Sequence, residues 1–359
     1  MIKEKGGRQS NLELLRIFSM ICVIILHLNI SGVFSYLYDC GNTIGYISHS
    51  ILESVSISAV NIFVMISGFF MSQKKEINYL KPVLLFLEVI TLGLCFEVGS
   101  IIIHGGSFSI AALIPNDYFV FFYCTLFLLS PYINKALDNK NARKMAFLCF
   151  CLFSVYATAA DVFQAFCDNI GKHMQDLSTV TRFGSMSGYT IVNFVMMYII
   201  GAYVRENEEK LKKINVFILF LTCFACVTIT TISMVFRTID RGFSLGLELS
   251  YSNPIIIIQS VCIFLIFYKI KIGSIKLINS LSSATFTVYL LHRRFLNLAT
   301  KGEIYQRNWI IALIYTVCVA CFLYFICWLF HQLVYKHIDY LYSKILEKLI
   351  NLLCPKRKS

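Results

Sequence analysis

A chain of 359 residues that is 57% hydrophobic and only 14% charged, with a mean hydropathy of +0.70, has too little polar side chain to cover a soluble globule, for which about 25% charged is usual. Its formal charge of +12 would suit nucleic acid, but Lys and Arg sit in short clusters between apolar runs, as in cytoplasmic loops. Nucleic acid is therefore excluded as the main partner.

Ten apolar runs are long enough to cross about 30 Å of hydrocarbon. They lie near Leu12 to Ile30, Ile44 to Met71, Leu80 to Ile103, Tyr118 to Ile133, Met145 to Phe163, Gly188 to Val204, Ile214 to Phe236, Asn253 to Tyr268, Ile278 to Leu298 and Trp309 to Leu333. The fourth and eighth are short and rely on flanking aromatics. The first follows a basic N-terminal segment, but His27 interrupts it and no A-x-A site follows, so it reads as an uncleaved helix. With five prolines and no Pro-, Ser- or Gly-rich stretch, no linker separates domains. The chain reads as one membrane domain over 1–333 and a basic amphipathic cytoplasmic tail over 334–359, suited to lying on an anionic leaflet.

Orientation follows from Lys and Arg, which cytoplasmic loops hold in excess. Lys3, Lys5, Arg8 and Arg16, then Lys74, Lys75 and Lys81, then Lys135, Lys140, Arg143 and Lys144 fall on one side. Arg205, Lys210, Lys212, Lys213, Lys269, Lys271 and Lys276 join them, with the basic tail. The other side keeps Lys172, Arg182, Arg237, Arg241, Arg293, Arg294, Lys301 and Arg307. The predicted class is all-α, a polytopic membrane protein of about ten transmembrane helices with both termini inside.

Most of the 14 cysteines fall in spans or on the inner side and read as small apolar residues. The C-x-x-C pairs Cys223/Cys226 and Cys318/Cys321 lack neighbouring His or acidic ligands, so they read as packing and no metal site is expected. Cys40 and Cys167 fall in outer loops, where a disulfide is permitted but not established by spacing.

An ionisable side chain inside the membrane is costly, which makes it a functional candidate. Arg16 and His27 are eleven residues apart, so they share one helix face at depths differing by roughly 16 Å. A guanidinium at the inner mouth can hold phosphate by paired hydrogen bonds, and an imidazole deeper in can act as a general base. On the residues alone, a snorkelling Arg with a core His bonded to a backbone carbonyl reads equally well. Glu88 and Glu97 are further intramembrane acids, ranked below the histidines because either can simply pair with a basic neighbour.

Asn11-Leu-Glu-Leu-Leu-Arg16, with His27 following after ten intervening residues, resembles the R-x10-H signature of the acyltransferase-3 family of membrane acyltransferases, which modify cell-envelope carbohydrates. Val60 to Phe70, containing Ser67-Gly68-Phe69, is similar to the family's F-F-x-x-S-G-F/Y pattern. Tyr118 to Asn134 is similar to its W-F-L-x-x-Y…LLSPFLN segment, and Phe194 to Arg205 to its F-x-x-x-Y-x-x-G-A-Y-x-R segment. Phe286-Thr-Val-Tyr289-Leu-Leu-His292 resembles the G-I-Y-L-L-H helix. The five segments occur in family order. Where members carry an R-x-x-R pair, this chain has Lys74-Lys75-Glu-Ile-Asn78-Tyr-Leu-Lys81-Pro82, in which Lys81 fills one position and Lys74 and Lys75 supply point cations without the bidentate geometry of Arg.

The resemblance implies a multi-pass protein of the bacterial plasma membrane that transfers groups other than amino-acyl groups. It would be an O-acyltransferase, in the first instance an O-acetyltransferase, taking its acyl group from cytoplasmic acetyl-CoA or another acyl-CoA. That donor is a substrate, and no permanently bound cofactor is implied. The acceptor would be a hydroxyl of a cell-surface glycan or its lipid-linked precursor, with the membrane domain or a separate extracytoplasmic acyltransferase partner completing the transfer. Arg16, Lys81, Lys74 and Lys75 become the donor-binding candidates, His27 and His292 the catalytic ones. Asn61, Ser67, Arg293 and Arg294 become the acceptor-side ones. A helix-end His at the interface is the bland reading of His292. The competing class is a polytopic transporter or flippase for a polysaccharide or lipid-linked sugar, but such proteins usually consist of two repeating halves, and none is visible.

Overall fold

The computed structural model describes residues 9–74, 76–105, 118–169, 189–241, 249–299, 302–305 and 308–353. Among the described residues every regular element is helical. The first helix, α1 (Ser10–Leu28), passes through a π-helical turn (Asn29–Val33) into α2 (Phe34–Asp39). Then come α3 (Thr43–Ser56), α4 (Ala59–Met71), α5 (Leu80–His104), α6 (Tyr118–Ala136), α7 (Lys140–Asn169), α8 (Ile191–Glu206), the single turn α9 (Glu208–Leu211), α10 (Val216–Arg241) and α11 (Pro254–Lys269). The last are α12 (Lys276–Ser283), α13 (Thr285–Ala299), α14 (Gly302–Tyr305) and α15 (Trp309–Phe330), which runs through a second π-turn (His331–Tyr335) into α16 (Lys336–Leu353).

Among the described residues each of the ten apolar runs is mainly helical, and seven helices are long and apolar enough to cross a membrane. The sixth, eighth and ninth runs fall short of that length. α8 and α11 have 16 residues each, and the ninth breaks at Ala284 into α12 and α13. The protein is a multi-pass membrane protein. α1 and the α3–α4 pair are largely buried within it, whereas α5, α7 and α10 turn most of their apolar side chains outward. Outward residues such as Phe217, Phe220, Leu221 and Phe224 on α10 are what a lipid-facing helix requires, since hydrocarbon gives no reason to hide them.

Two glycines bring α4 and α8 into backbone contact. A Cβ on Gly68 would lie 2.0 Å from the Tyr198 carbonyl oxygen, and one on Gly201 would lie 2.2 Å from that of Met65. Only hydrogen fits at either place, the small-residue crossing by which membrane helices approach closely. Asn61 locks the same crossing. Fully buried, it donates from Nδ2 to the Tyr251 carbonyl at 3.0 Å and accepts at Oδ1 from Asn193 Nδ2 of α8 at 3.0 Å.

The chain start is tied to the end of α11, whose last carbonyls have no partner within their own helix. Asn11 Nδ2 supplies one, donating to the Tyr268 carbonyl at 3.0 Å and the Phe267 carbonyl at 3.3 Å. Beyond His27, the π-turn is pinned by Asn29, whose Nδ2 donates to Glu53 Oε2 of α3 at 2.7 Å, both residues being buried. Gly32 within it has φ +140°, a backbone setting that L side chains avoid.

In the segment expected to form the basic amphipathic tail, α16 continues α15, and its Tyr342 hydroxyl lies 2.8 Å from Thr91 Oγ1 of α5. Lys344, Ile345 and Tyr340 remain on its exposed face, so the amphipathic pattern is present with its other face packed on protein. Cys40 and Cys167 are both free thiols, the first exposed and the second buried.

Candidate active site

Arg16, Met20 and Val23 follow one another on α1 at spacings of four and three residues, so they form one stripe. That stripe is a wall of a cleft of about 440 Å³. Ser67 of α4, Lys81 and Glu88 of α5, Tyr123 of α6 and Tyr289 of α13 face the same space. Arg16 lies with its guanidinium carbon 5.6 Å from the Phe70 ring centre, and Lys81 Nζ lies 5.2 Å from that of Phe127. The half-buried Tyr123 is within electrostatic range of both cations, and its hydroxyl is 3.5 Å from Ser67 Oγ.

Arg16 is held in place by the residues around it. Its Nη1 donates to both carboxylate oxygens of Glu13, at 3.1 and 3.3 Å, and the buried Glu13 also accepts a short hydrogen bond from Ser282 Oγ of α12. One edge of the guanidinium is thus fixed while the side chain still lines the cleft.

The stripe continues one turn further to His27. Its Nδ1 lies 2.8 Å from the Val23 carbonyl oxygen, and since a carbonyl only accepts, Nδ1 carries the proton and Nε2 holds the lone pair. His292, fully buried on α13, repeats the arrangement with Nδ1 3.1 Å from the Val288 carbonyl. Its unprotonated Nε2 lies 3.5 Å from His27 Nδ1, and the two rings meet edge to face with centres 5.0 Å apart. The hydrogen bonds thus give the neutral rings an order. His292 supports the protonated side of His27, and His27 Nε2 points away from both partners as the available base. Each histidine sits one turn from a cleft residue, Val23 for the first and Tyr289 for the second.

The other predicted residues are placed as follows. Arg293 is exposed and within electrostatic range of His27, and Arg294 stacks over the Phe96 ring at 5.3 Å. Lys74 is exposed near the end of α4, where its carbonyl accepts from Asn134 Nδ2 at 3.3 Å, and it does not line the cleft. Lys75 lies outside the described residues. Asn61 is spent on the α4–α8 crossing and has no face on the cleft.

A polar cluster on the opposite wall went unread in the sequence. Thr287 Oγ1 is 2.6 Å from Glu88 Oε1 and 2.7 Å from His331 Nδ1, a hydroxyl bridging an acid and an imidazole. All three line the cleft, with Asp339 of α16 beside them. Glu88 had a signal as an intramembrane acid. His331 carried the same signal, as an imidazole inside the tenth apolar run, and went unused; Thr287 had none, because the partnership joins helices far apart in the chain.

Neither His27 nor His292 lines the cleft itself; a cation-lined cleft beside a paired imidazole would serve more than one chemistry, and comparison with known families decides the class. The family model for an acyltransferase domain matches residues 9–332. The chain belongs to the acyltransferase-3 family. No curated protein and no solved structure matches it. As a member of that family it is a membrane acyltransferase, and the match takes in the α1 stripe, both histidines and every cleft residue up to His331, while Tyr335 and Asp339 lie beyond it.

Proposed function

We propose that this acyltransferase moves an acyl group, acetyl in the first instance, from cytoplasmic acyl-CoA to a hydroxyl of a cell-envelope glycan or its lipid-linked precursor. The observation that carries the reading is the ordered pair of histidines, with the free Nε2 of His27 one turn from a cleft bearing Arg16 and Lys81. The donor's phosphates are polyanionic and meet those two cations at the mouth. Its acyl thioester extends along the stripe Met20 and Val23 toward His27.

The acceptor hydroxyl loses its proton to His27 Nε2 as its oxygen bonds to the thioester carbonyl carbon. The carbon–sulfur bond then breaks, and the proton passes from His27 to the departing thiolate, giving the ester and free CoA. During that interval His27 is a cation. The Val23 carbonyl and the His292 Nε2 lone pair both face its Nδ1–H and stabilise that charge. Arg293, exposed near His27, is the acceptor-side cation.

The test uses purified protein and its melting temperature. A ligand that binds only the folded state raises the melting temperature by mass action, so acetyl-CoA and CoA should stabilise the protein and dephospho-CoA should do so less. The effect should weaken with salt and shrink in Arg16→Ala and Lys81→Ala. If millimolar CoA leaves the melting temperature unchanged while a lipid-linked glycan raises it, the donor reading fails.

A further inference from the structure

Away from the cleft, two cavities adjoin on the flank formed by α7, α8 and α11. One is an apolar groove of about 350 Å³ running between Phe150, Val155, Ile200 and Ile258. The other is a polar pocket of about 190 Å³ at the end of the bundle where Lys74 lies, lined by Asp138, Arg143, Arg205 and Glu206. Phe147, Ile199 and Tyr203 line both, so the two adjoin. The groove opens outward, since Val155, Ile258 and Tyr203 are all exposed.

We propose that the adjoining groove and pocket together bind one phospholipid with a primary-amine headgroup, of the phosphatidylethanolamine type. Length supports a lipid. From Arg143 to Val155 is twelve residues of α7, about 18 Å, which slightly exceeds half of the roughly 30 Å hydrocarbon core and matches a chain from one leaflet. The groove walls are apolar throughout that length, and they face a solvent made of acyl chains.

Charge supports the amine. Arg143 pairs closely with Glu206, and its Nη2 donates to the Asp138 carbonyl at 3.4 Å, but its Nε is buried without any partner. The side chain as a whole stays 30% exposed and lines the pocket, where a phosphate oxygen can accept from the rest of its guanidinium. Arg205 stacks on Phe69 at 4.9 Å and makes a 3.4 Å contact with Glu208, which leaves a second guanidinium bordering the pocket. The carboxylates of Asp138 and Glu206 stand against a headgroup that carries only negative charge. A primary ammonium can donate to both, whereas a quaternary one has no proton to donate. Phosphate at the arginines and ammonium at the acids therefore uses every charge in the pocket.

The experiment compares three lipids with identical acyl chains, carrying ethanolamine, choline or glycerol headgroups, added to the delipidated full chain in neutral detergent. Melting temperature and native mass spectra are read for each. One ethanolamine lipid should remain bound and raise the melting temperature more than the other two. Arg143→Gln and Glu206→Gln should each weaken retention roughly tenfold, the loss of about one charge-assisted hydrogen bond. Ile258→Trp, filling the groove at an exposed position, should reduce retention of all chains. Equal responses to the three lipids would mean general solvation of the surface, and the strongest response to glycerol would mean a plain anion site. Either result overturns the proposal and is read on the unmodified protein, so it stands even if a variant fails to fold.

Discussion

His27 and His292 have the same protonated nitrogen and different prospects, because the lone pair of one is free and that of the other faces its neighbour. Removing His27 should therefore remove the base. His27→Ala is expected to lower turnover by roughly 10²- to 10⁴-fold with inserted protein at normal abundance, measured as glycan acylation in cells. His292→Ala should also lower turnover, while His292→Gln, whose side-chain oxygen can accept from His27 Nδ1–H, should recover much of it. If Gln is no better than Ala, the ordered pair is not what His292 contributes. Thr287 gives a second test at this scale. Thr287→Val leaves both Glu88 and His331 without their shared hydroxyl, and losing a partner to buried polar groups costs about 1–3 kcal/mol. Its melting temperature should fall and Thr287→Ser should restore it. The stripe from Arg16 to His27 was legible in the sequence because it needs only the period of one helix. The Thr287 cluster was not, since it joins α5, α13 and the turn after α15.

Segments that read as site motifs divide, at the level of elements, into those that touch the cleft and those that hold helices together. Asn11 and Glu13 share the first motif with Arg16, yet Asn11 caps α11 and Glu13 clamps the arginine. Asn61 and Gly68 flank Ser67, and of the three only Ser67 lines the cleft. Spacing along one chain cannot separate these roles, because a helix crossing and a ligand both demand particular small or polar residues. The crossing itself is testable. Gly201→Ala puts a methyl carbon where a carbonyl oxygen stands, and overpacking of this kind costs about 1–3 kcal/mol. The expected outcome is a lower melting temperature with the affinity for CoA unchanged in protein that remains folded. Normal stability in that variant would mean that α4 and α8 separate easily.

For the molecule as a whole, hydropathy found each helical run, but not how each is used. α8 and α11 are short by the measure of a membrane crossing yet are built into the core, where Phe194, Tyr198 and Phe264 are buried, and no hydropathy scale distinguishes that burial from lipid. The break at Ala284 within the ninth run was likewise invisible, since α12 and α13 keep the apolar period across it. Reporter fusions after Leu353 and at Cys40 test the expected arrangement, with the first cytoplasmic and the second outside. A cytoplasmic reporter at Cys40 would reverse the placement of Arg16 and, with it, the direction from which the donor arrives, while an outside reporter after Leu353 would mean an odd number of crossings.

α16 also couples distant parts of the protein. Asp339 in its first turns faces the cleft, Tyr342 is bonded to α5, and the exposed Lys348 lies further along the same rod. One helix thus joins the wall of the cleft to an exposed lysine that a label can reach. A fluorophore attached at Lys348 becomes a gauge of occupancy, and its emission should shift when CoA is added and return when the ligand is washed away. A bulky purification handle placed on the same helix should accordingly weaken CoA binding relative to the untagged chain.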